Sequence, residues 1–526
     1  MPSARGWRSA KVVVPLLVLA VFASRIPAIS LDTELNPDES QMLAQVMRLG
    51  IDPVPWRGMD GTTSGPLNTW ALALPHALGM PLDYRWLHAL AACVLAAICG
   101  LGYASLRLLA GPGTAAVGAS VAALAIALAQ GANFTHFGSE LVPALIESAV
   151  LLGLAGRLAR PRHARPLDLG TALLVGVLPW TKLQSVLGAG ALGAWILWNA
   201  RPLRGEAGSR PVPPAHALAV AALLALPTIV ILAVTVAGGA WPDFWASYVL
   251  GNLAYVGAPG LGSLAARVVA MLASPPSRLM IGTLGLELLW WRLGRPGWSI
   301  ASAPQRTFTS VVASLAAANA LAVLTPRSAH QHFGTLLIAP LSLLAACILE
   351  MWRTAPARRR PAGVAFALFM LALPLTAGAQ ALRDARATVA LRAGVADTPA
   401  RRVAAVVRSV APRARRLAVW GWMPALYVET GIAPAVRHAV CHFVIDPSPA
   451  RSRLRATYLA DVRAERPDVI VDAIADGCFR RGWGPAERIP SFPELDRYVR
   501  ENYVLAAEPS LARTPDPVRV YVRRGP

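Results

Sequence analysis

The chain has 526 residues, 55% of them hydrophobic and 15% charged, with a mean hydropathy of +0.47 and a formal charge of +21. That balance is too apolar and too charge-poor for an ordinary soluble domain, and apolar stretches near the ~20 residues that cross a bilayer recur along the first 380 positions. The cations form no aromatic-interleaved patch. Many lie between apolar runs, where basic residues set membrane orientation, so the charge argues against nucleic acid as a partner.

Arg5, Arg8 and Lys11 precede the apolar run 12–31, which reads as a first spanning helix with a cytoplasmic N-terminus, an uncleaved anchor rather than a leader. Residues 31–84 follow as a long outer loop with seven acidic and two basic residues, among them "NPDESQ", which sets Asp38 beside Glu39. Its middle, "GPLNTWALALPHALG", is apolar but too short and too broken by proline to span, and is expected on the membrane surface. Spans are expected over 86–109, 114–130 and 141–156, with "GANFTHFGSE" outside and the basic "GRLARPRHAR" inside.

Residues 168–199 are interrupted by "LPWTKLQS", which predicts two short helices meeting near the outer side. A span over 216–239 leads to "WPDFWASYVLGNLAY", whose Trp and Tyr content marks an interfacial segment. Further spans are expected over 277–291, 307–324, 335–351 and 363–380. The whole is a mainly α, polytopic membrane protein of about eleven transmembrane helices over residues 1–380, with residues 381–526 outside as a small α/β domain. That tail carries 24 arginines against 15 acidic residues, and long domains are exported largely regardless of charge. It alternates strand-like runs ("RLAVWGW", "PDVIVDA", "VRVYVRR") with helix-like ones ("ALYVETG", "PELDRYVRENY"), which predicts three or four strands. Cys441 and Cys478 in the tail are open to either a disulfide or free thiols.

The candidate chemistry falls on one membrane face. Asp38 and Glu39 follow the first span, Glu140 ends the third, Lys182 and Gln184 mark the broken pair, and Arg327, His330 and His332 follow the ninth. Any one cluster is what an outer loop carries anyway; four beside spans on one face suggest a shared cavity. A carboxylate there can serve as general base toward a hydroxyl, and cations can stabilise a phosphate leaving group. Lys182 interrupts an apolar segment in a chain with only one other lysine, Lys11. A charge at that depth reads either as functional or as a side chain snorkelling to the interface. His330 and His332 have poor spacing for helical metal ligands, and no paired-cysteine zinc pattern, P-loop or dinucleotide fingerprint is present.

The acidic pair, "SGPLNTW", "FGSE", "PWTKLQS" and "HQHFGTLLIAP" together resemble the polyprenyl-phosphate-dependent GT-C glycosyltransferases, nearest to the protein O-mannosyltransferase and aminoarabinose-transferase groups. "VWGWMPALYVETGIAP", "RPDVIVDA" and "FPELDRYVRENYVL" are similar to the C-terminal region of bacterial members. Two features depart from the family: Gln41 and Met42 stand where an aromatic usually follows the acidic pair, and "SGPL" replaces a Lys-Pro-Pro-Leu-like element.

The resemblance implies an inverting transferase that moves a sugar from undecaprenyl phosphate or a similar lipid to a hydroxyl of a glycan, lipid or protein at the outer face of a bacterial inner membrane. It implies Asp38 as base with Glu39 orienting it, Glu140 as a second acidic partner, and Lys182, Arg57 and Arg327 toward the lipid phosphate. Gln184, His330 and His332 are left as substrate contacts. No cofactor is assigned, and a divalent metal stays open because metal dependence varies across the superfamily. The competing expectation is a transporter of lipid-linked sugars, which should show midplane ionisable residues and an inverted repeat. A third is that residues 381–526 bind an acceptor glycan or a partner protein.

Overall fold

The computed structural model describes residues 4–200, 214–256, 261–273, 302–326, 330–353, 378–391, 397–475, 478–479, 482–511 and 516–525. The chain forms two compact units, and neither is continuous in sequence. One comprises residues 1–30, 88–229 and 258–389; the other comprises 31–87, 230–257 and 390–526. The expected spans over 277–291 and most of 363–380 lie outside the described residues, as does Arg327.

The first unit is helical. Among the described residues, six helical stretches are long and apolar enough to cross a membrane: Lys11–Ile29, Tyr84–Leu109, Leu141–Ala159, Pro214–Ala237, Ala303–Leu324 and Gln331–Glu350. Pro112–Leu128 is apolar but one turn shorter. The expected break at "LPWTKLQS" is present: helices Ala164–Val177 and Val186–Ala200 are separated by two 3-10 turns, with Lys182 extended between them. Those helices have 14 and 15 residues, short as expected and below the full spanning length; six full-length candidates lie among the described residues.

With no water to reward apolar contact inside a bilayer, these helices associate through close packing and interhelical hydrogen bonds. Gly118 is an instance of the first, since a Cβ there would lie 2.5 Å from the Ala346 methyl and 2.6 Å from Leu106. Gly176 is another, its missing Cβ pointing at the Leu224 carbonyl 2.3 Å away. The second device is the buried Arg157–Asp168–His216 group, with Nε to Oδ1 at 2.5 Å and Nε2 to Oδ2 at 3.2 Å, which joins three helices.

The second unit is built on a five-stranded sheet in the order β2-β1-β3-β5-β4. The strands are β1 (Arg416–Trp420), β2 (Ala433–Pro434), β3 (Val469–Asp472), β4 (Tyr503–Ala507) and β5 (Arg519–Arg523). β2, β1 and β3 run parallel, and β5 pairs antiparallel with both β3 and β4. Because successive side chains alternate faces, Leu417, Val419, Val469 and Val471 enter one apolar cluster, while Ala418, Trp420 and Ile470 enter the other. Covering on both faces explains why β1 and β3 read as unbroken apolar runs. The three strands predicted in the tail are β1, β3 and β5; β4 was hidden in what reads as the end of a helix, and β2 has only two residues. Cys441 and Cys478 are free thiols.

Polar contacts tie the three segments of this unit together. The buried Asp60 accepts from Ser247 Oγ at 2.6 Å and faces His438 Nδ1 at 3.3 Å. Arg437 bridges Asp243 and Asp461 at 2.9 and 2.6 Å and donates to the Trp56 carbonyl. Arg48 reaches Glu465 at 2.9 Å.

Candidate functional site

The first unit gathers three of the expected residues. Glu140 stands at the N-cap position of Leu141–Ala159 without a side-chain capping bond, where the helix dipole already favours a carboxylate. The break between Ala164–Val177 and Val186–Ala200 leaves Lys182 free of helical geometry and turns its ammonium onto Glu140 Oε1 and Ser139 Oγ, the latter at 2.7 Å. The same ammonium lies 4.8 Å from the centre of the Phe333 ring, a cation–π contact. His332, on the 3-10 turn Gln331–Gly334, puts Nε2 3.8 Å from Glu140 Oε1. All three side chains are buried.

Burial opposes ionisation of Glu140, but the Lys182 ammonium and the imidazoles of His332 and His136 outweigh it and hold the carboxyl at about 2. His136, not singled out from the sequence, donates from Nδ1 to the Ala132 carbonyl at 2.9 Å, which leaves Nε2 as the second ring nitrogen to be matched. Its Nε2 and Glu140 Oε2 are both buried and without a hydrogen-bond partner among the described residues. They converge over Gly138, where a Cβ would meet them at 3.0 and 2.9 Å. Their residues line a small, partly open cleft together with His332, Arg25 and Thr335.

Arg25 is the second residue missed. It is a lone cation inside an apolar run, the signal that marks such positions, and it fastens the cleft wall by donating to the Ala129 and Ile126 carbonyls at 2.8 and 3.0 Å. His330 stacks on His332 with centroids 5.2 Å apart. Gln184 points elsewhere, at the Ala322 carbonyl, through a long 3.5 Å contact. Among the described residues no group of three His, Cys, Asp or Glu side chains is disposed to hold a metal ion.

Asp38, Glu39 and Arg57 belong to the second unit. Asn36-Pro37 starts the helix Pro37–Leu49, Asn36 capping it by accepting from the Asp38 N–H at 3.0 Å. Glu39, at the third position of the helix, reaches back to accept from the Leu35 N–H at 2.8 Å and is fully buried. This resembles a capping box, so Glu39 is committed to the turn while Asp38 stays half-buried. Arg57 forks onto Asp52 at 2.8 and 2.9 Å and is about half exposed, so any phosphate must compete with that carboxylate.

Beside the pair lies Glu34, which accepts from the Ser40 hydroxyl. Burial of its carboxyl pushes it up to about 7; the Ser40 bond opposes this, and the like charges of Glu39, Glu429 and Asp38 add to it. A carboxyl whose folded value lies above its ordinary 4.5 binds its proton more tightly in the folded state. Its contribution is therefore undiminished below about 4.5 and is lost as pH rises toward 7. Glu34→Gln is expected to flatten this dependence, gaining on the order of 1 kcal/mol over the wild type at pH 8 and nothing at pH 4. Thermal unfolding across that range checks it, and parallel profiles for the two proteins would refute it.

No protein-family model matches the sequence, and no curated protein matches it. The chain is similar in structure to ArnT from Cupriavidus metallidurans bound to undecaprenyl phosphate, at 13% identity and a TM-score of 0.58 over 98% of each chain. The Archaeoglobus fulgidus oligosaccharyltransferase tethered with an acceptor peptide aligns with 88% of this chain and 69% of its own, at 12% identity and a TM-score of 0.46. The full-length match shows that the chain shares the fold of ArnT. With its apolar helices, the chain is a multi-pass membrane protein.

Proposed function

We propose that the protein is an inverting membrane glycosyltransferase that moves a sugar from a polyprenyl-phosphate donor to an acceptor hydroxyl. The observation that carries this reading is the buried Glu140–Lys182–His332 cluster at the edge of a cleft, in a chain that shares the fold of ArnT. A buried ammonium held by one carboxylate, the Ser139 hydroxyl and an aromatic face keeps one of its three donors for a phosphate oxygen. ArnT is a structure bound to undecaprenyl phosphate, which supports a lipid phosphate as the ligand class.

In the proposed reaction an acceptor oxygen attacks the anomeric carbon while the carbon–oxygen bond to phosphate breaks. The phosphate leaves with the electron pair and Asp38 takes the acceptor proton. Lys182 meets the charge that grows on the phosphate. Glu140 holds Lys182 aimed, and His332 and His330 are the proposed substrate contacts, while Gln184 stays on the Ala322 carbonyl. The alternation of basic loops supports an N-terminus in the cytoplasm, a C-terminal domain outside and transfer at the outer face of a bacterial inner membrane.

The test is reconstitution of the purified protein in vesicles with a panel of polyprenyl-phosphate sugars and labelled acceptors. Release of free polyprenyl phosphate together with a labelled product is expected. Passage of the intact lipid-linked sugar across the bilayer without its consumption would overturn the assignment in favour of a transporter.

A further inference from the structure

Glu147 is a carboxyl that the proposed chemistry does not use. It lies on Leu141–Ala159, about 9 Å along the axis from the start of a spanning helix, and it is fully buried. Its Oε2 accepts from Asn319 Nδ2 at 2.8 Å, and the second Nδ2 proton goes to the Leu336 carbonyl at 2.9 Å. Those two acceptors fix the orientation of the amide, because turning it over would set its oxygen against both of them.

Two buried acceptors are then left over, Glu147 Oε1 and Asn319 Oδ1, neither with a donor among the described residues. Both face Gly188 on the neighbouring helix Val186–Ala200, where a Cβ would lie 2.7 Å from the first and 2.9 Å from the second. An ionised Glu147 would present an anion and an amide oxygen to each other in an apolar interior, with one neutral donor as its whole compensation. A proton on Oε1 removes the conflict. It turns Oε1 into a donor aimed at Oδ1 and closes a ring of two hydrogen bonds in which every polar atom of the acid and amide is used.

We infer that Glu147 holds a bound proton and forms, with Asn319, a neutral acid–amide ring that fastens the helices Leu141–Ala159, Ala303–Leu324 and Thr335–Arg353, with Gly188 supplying the room for it. An ionisable residue inside a spanning helix ordinarily suggests an ion or proton pathway; here it is a fastener. The inference does not depend on the transferase reading, since it concerns protonation and stability alone.

The experiment uses the full-length protein in detergent, with the variants Glu147→Gln, Glu147→Ala and Gly188→Ala. The infrared spectrum of the wild type minus that of Glu147→Gln is expected to show one protonated carboxyl carbonyl band that persists from neutral to alkaline pH. Glu147→Gln, which can form the same ring through its amide, should unfold at the wild-type temperature. Glu147→Ala and Gly188→Ala should unfold a few degrees lower. A missing band, a Glu147→Gln variant that is as unstable as Glu147→Ala or fails to fold, or a wild-type unfolding temperature raised by sodium where that of Glu147→Gln is not, would each overturn the neutral ring. The last would replace it with a cation site.

Discussion

Replacing Lys182 with methionine is expected to destabilise the protein by about 3–5 kcal/mol and to abolish transfer. Removing one member of a buried ion pair leaves the other charge without compensation, and that cost exceeds the net worth of the pair. Glu140 would keep the imidazoles of His332, 3.8 Å away, and of His136, the helix N-terminus and a long 3.5 Å contact from the Ser139 hydroxyl to offset its burial. The double variant Lys182→Met, Glu140→Leu separates the two effects, because an apolar pair of similar volume is often as stable as the ions it replaces. Its unfolding temperature should return close to that of the wild type while transfer stays absent. Wild-type turnover in that stable double variant would remove the pair from the mechanism and reduce it to a helix fastener.

The second large effect is expected at the acidic pair, and it divides the two carboxylates. Asp38→Asn should lower turnover by about 10²–10⁴-fold, the usual worth of a general base, with a stability change within about 1 kcal/mol for a lost charge in a helix's first turn. Glu39→Ala should do the reverse first, costing roughly 1 kcal/mol through the lost bond to the Leu35 N–H. Kinetics and thermal unfolding on both variants decide the matter. An Asp38→Asn protein with full turnover would exclude this side chain as the base; a Glu39→Ala protein as stable as the wild type would deny Glu39 its capping role.

What could be read from the sequence follows from the range of the signal. The broken helix pair around Lys182 was legible because a Pro-Trp-Thr-Lys interruption of an apolar run is a local event. The tail strands β1 and β3 were legible because they are almost wholly buried, apolar runs, and β5 because Val520, Tyr521 and Val522 are strand-forming residues in sequence. The partnership of Glu140 with Lys182 and His332 was not, since its members lie 42 and about 190 positions apart and no pattern in the chain encodes their meeting. His136 was inside a quoted motif yet carried no weight, because a histidine gains meaning only from what its two nitrogens face. Glu39 and Asp38 looked equivalent as neighbours, although Asn36-Pro37 already signals a helix start that assigns them to different places. The helix Pro37–Leu49 itself was lost in what reads as a loop, its apolar positions being few.

The second unit carries one more consequence. Arg48 finds Glu465 417 residues later in the chain, and Asp60 is completed by Ser247 and His438. Contacts of such sequence separation form late and slowly, so a ribosome has to finish nearly the whole chain before this unit can close. Until then the early segment keeps its buried-to-be acids and cations unmatched, in the state that quality-control proteases recognise. A chain that stops short of His438 and Glu465 therefore leaves Asp60 and Arg48 without these partners.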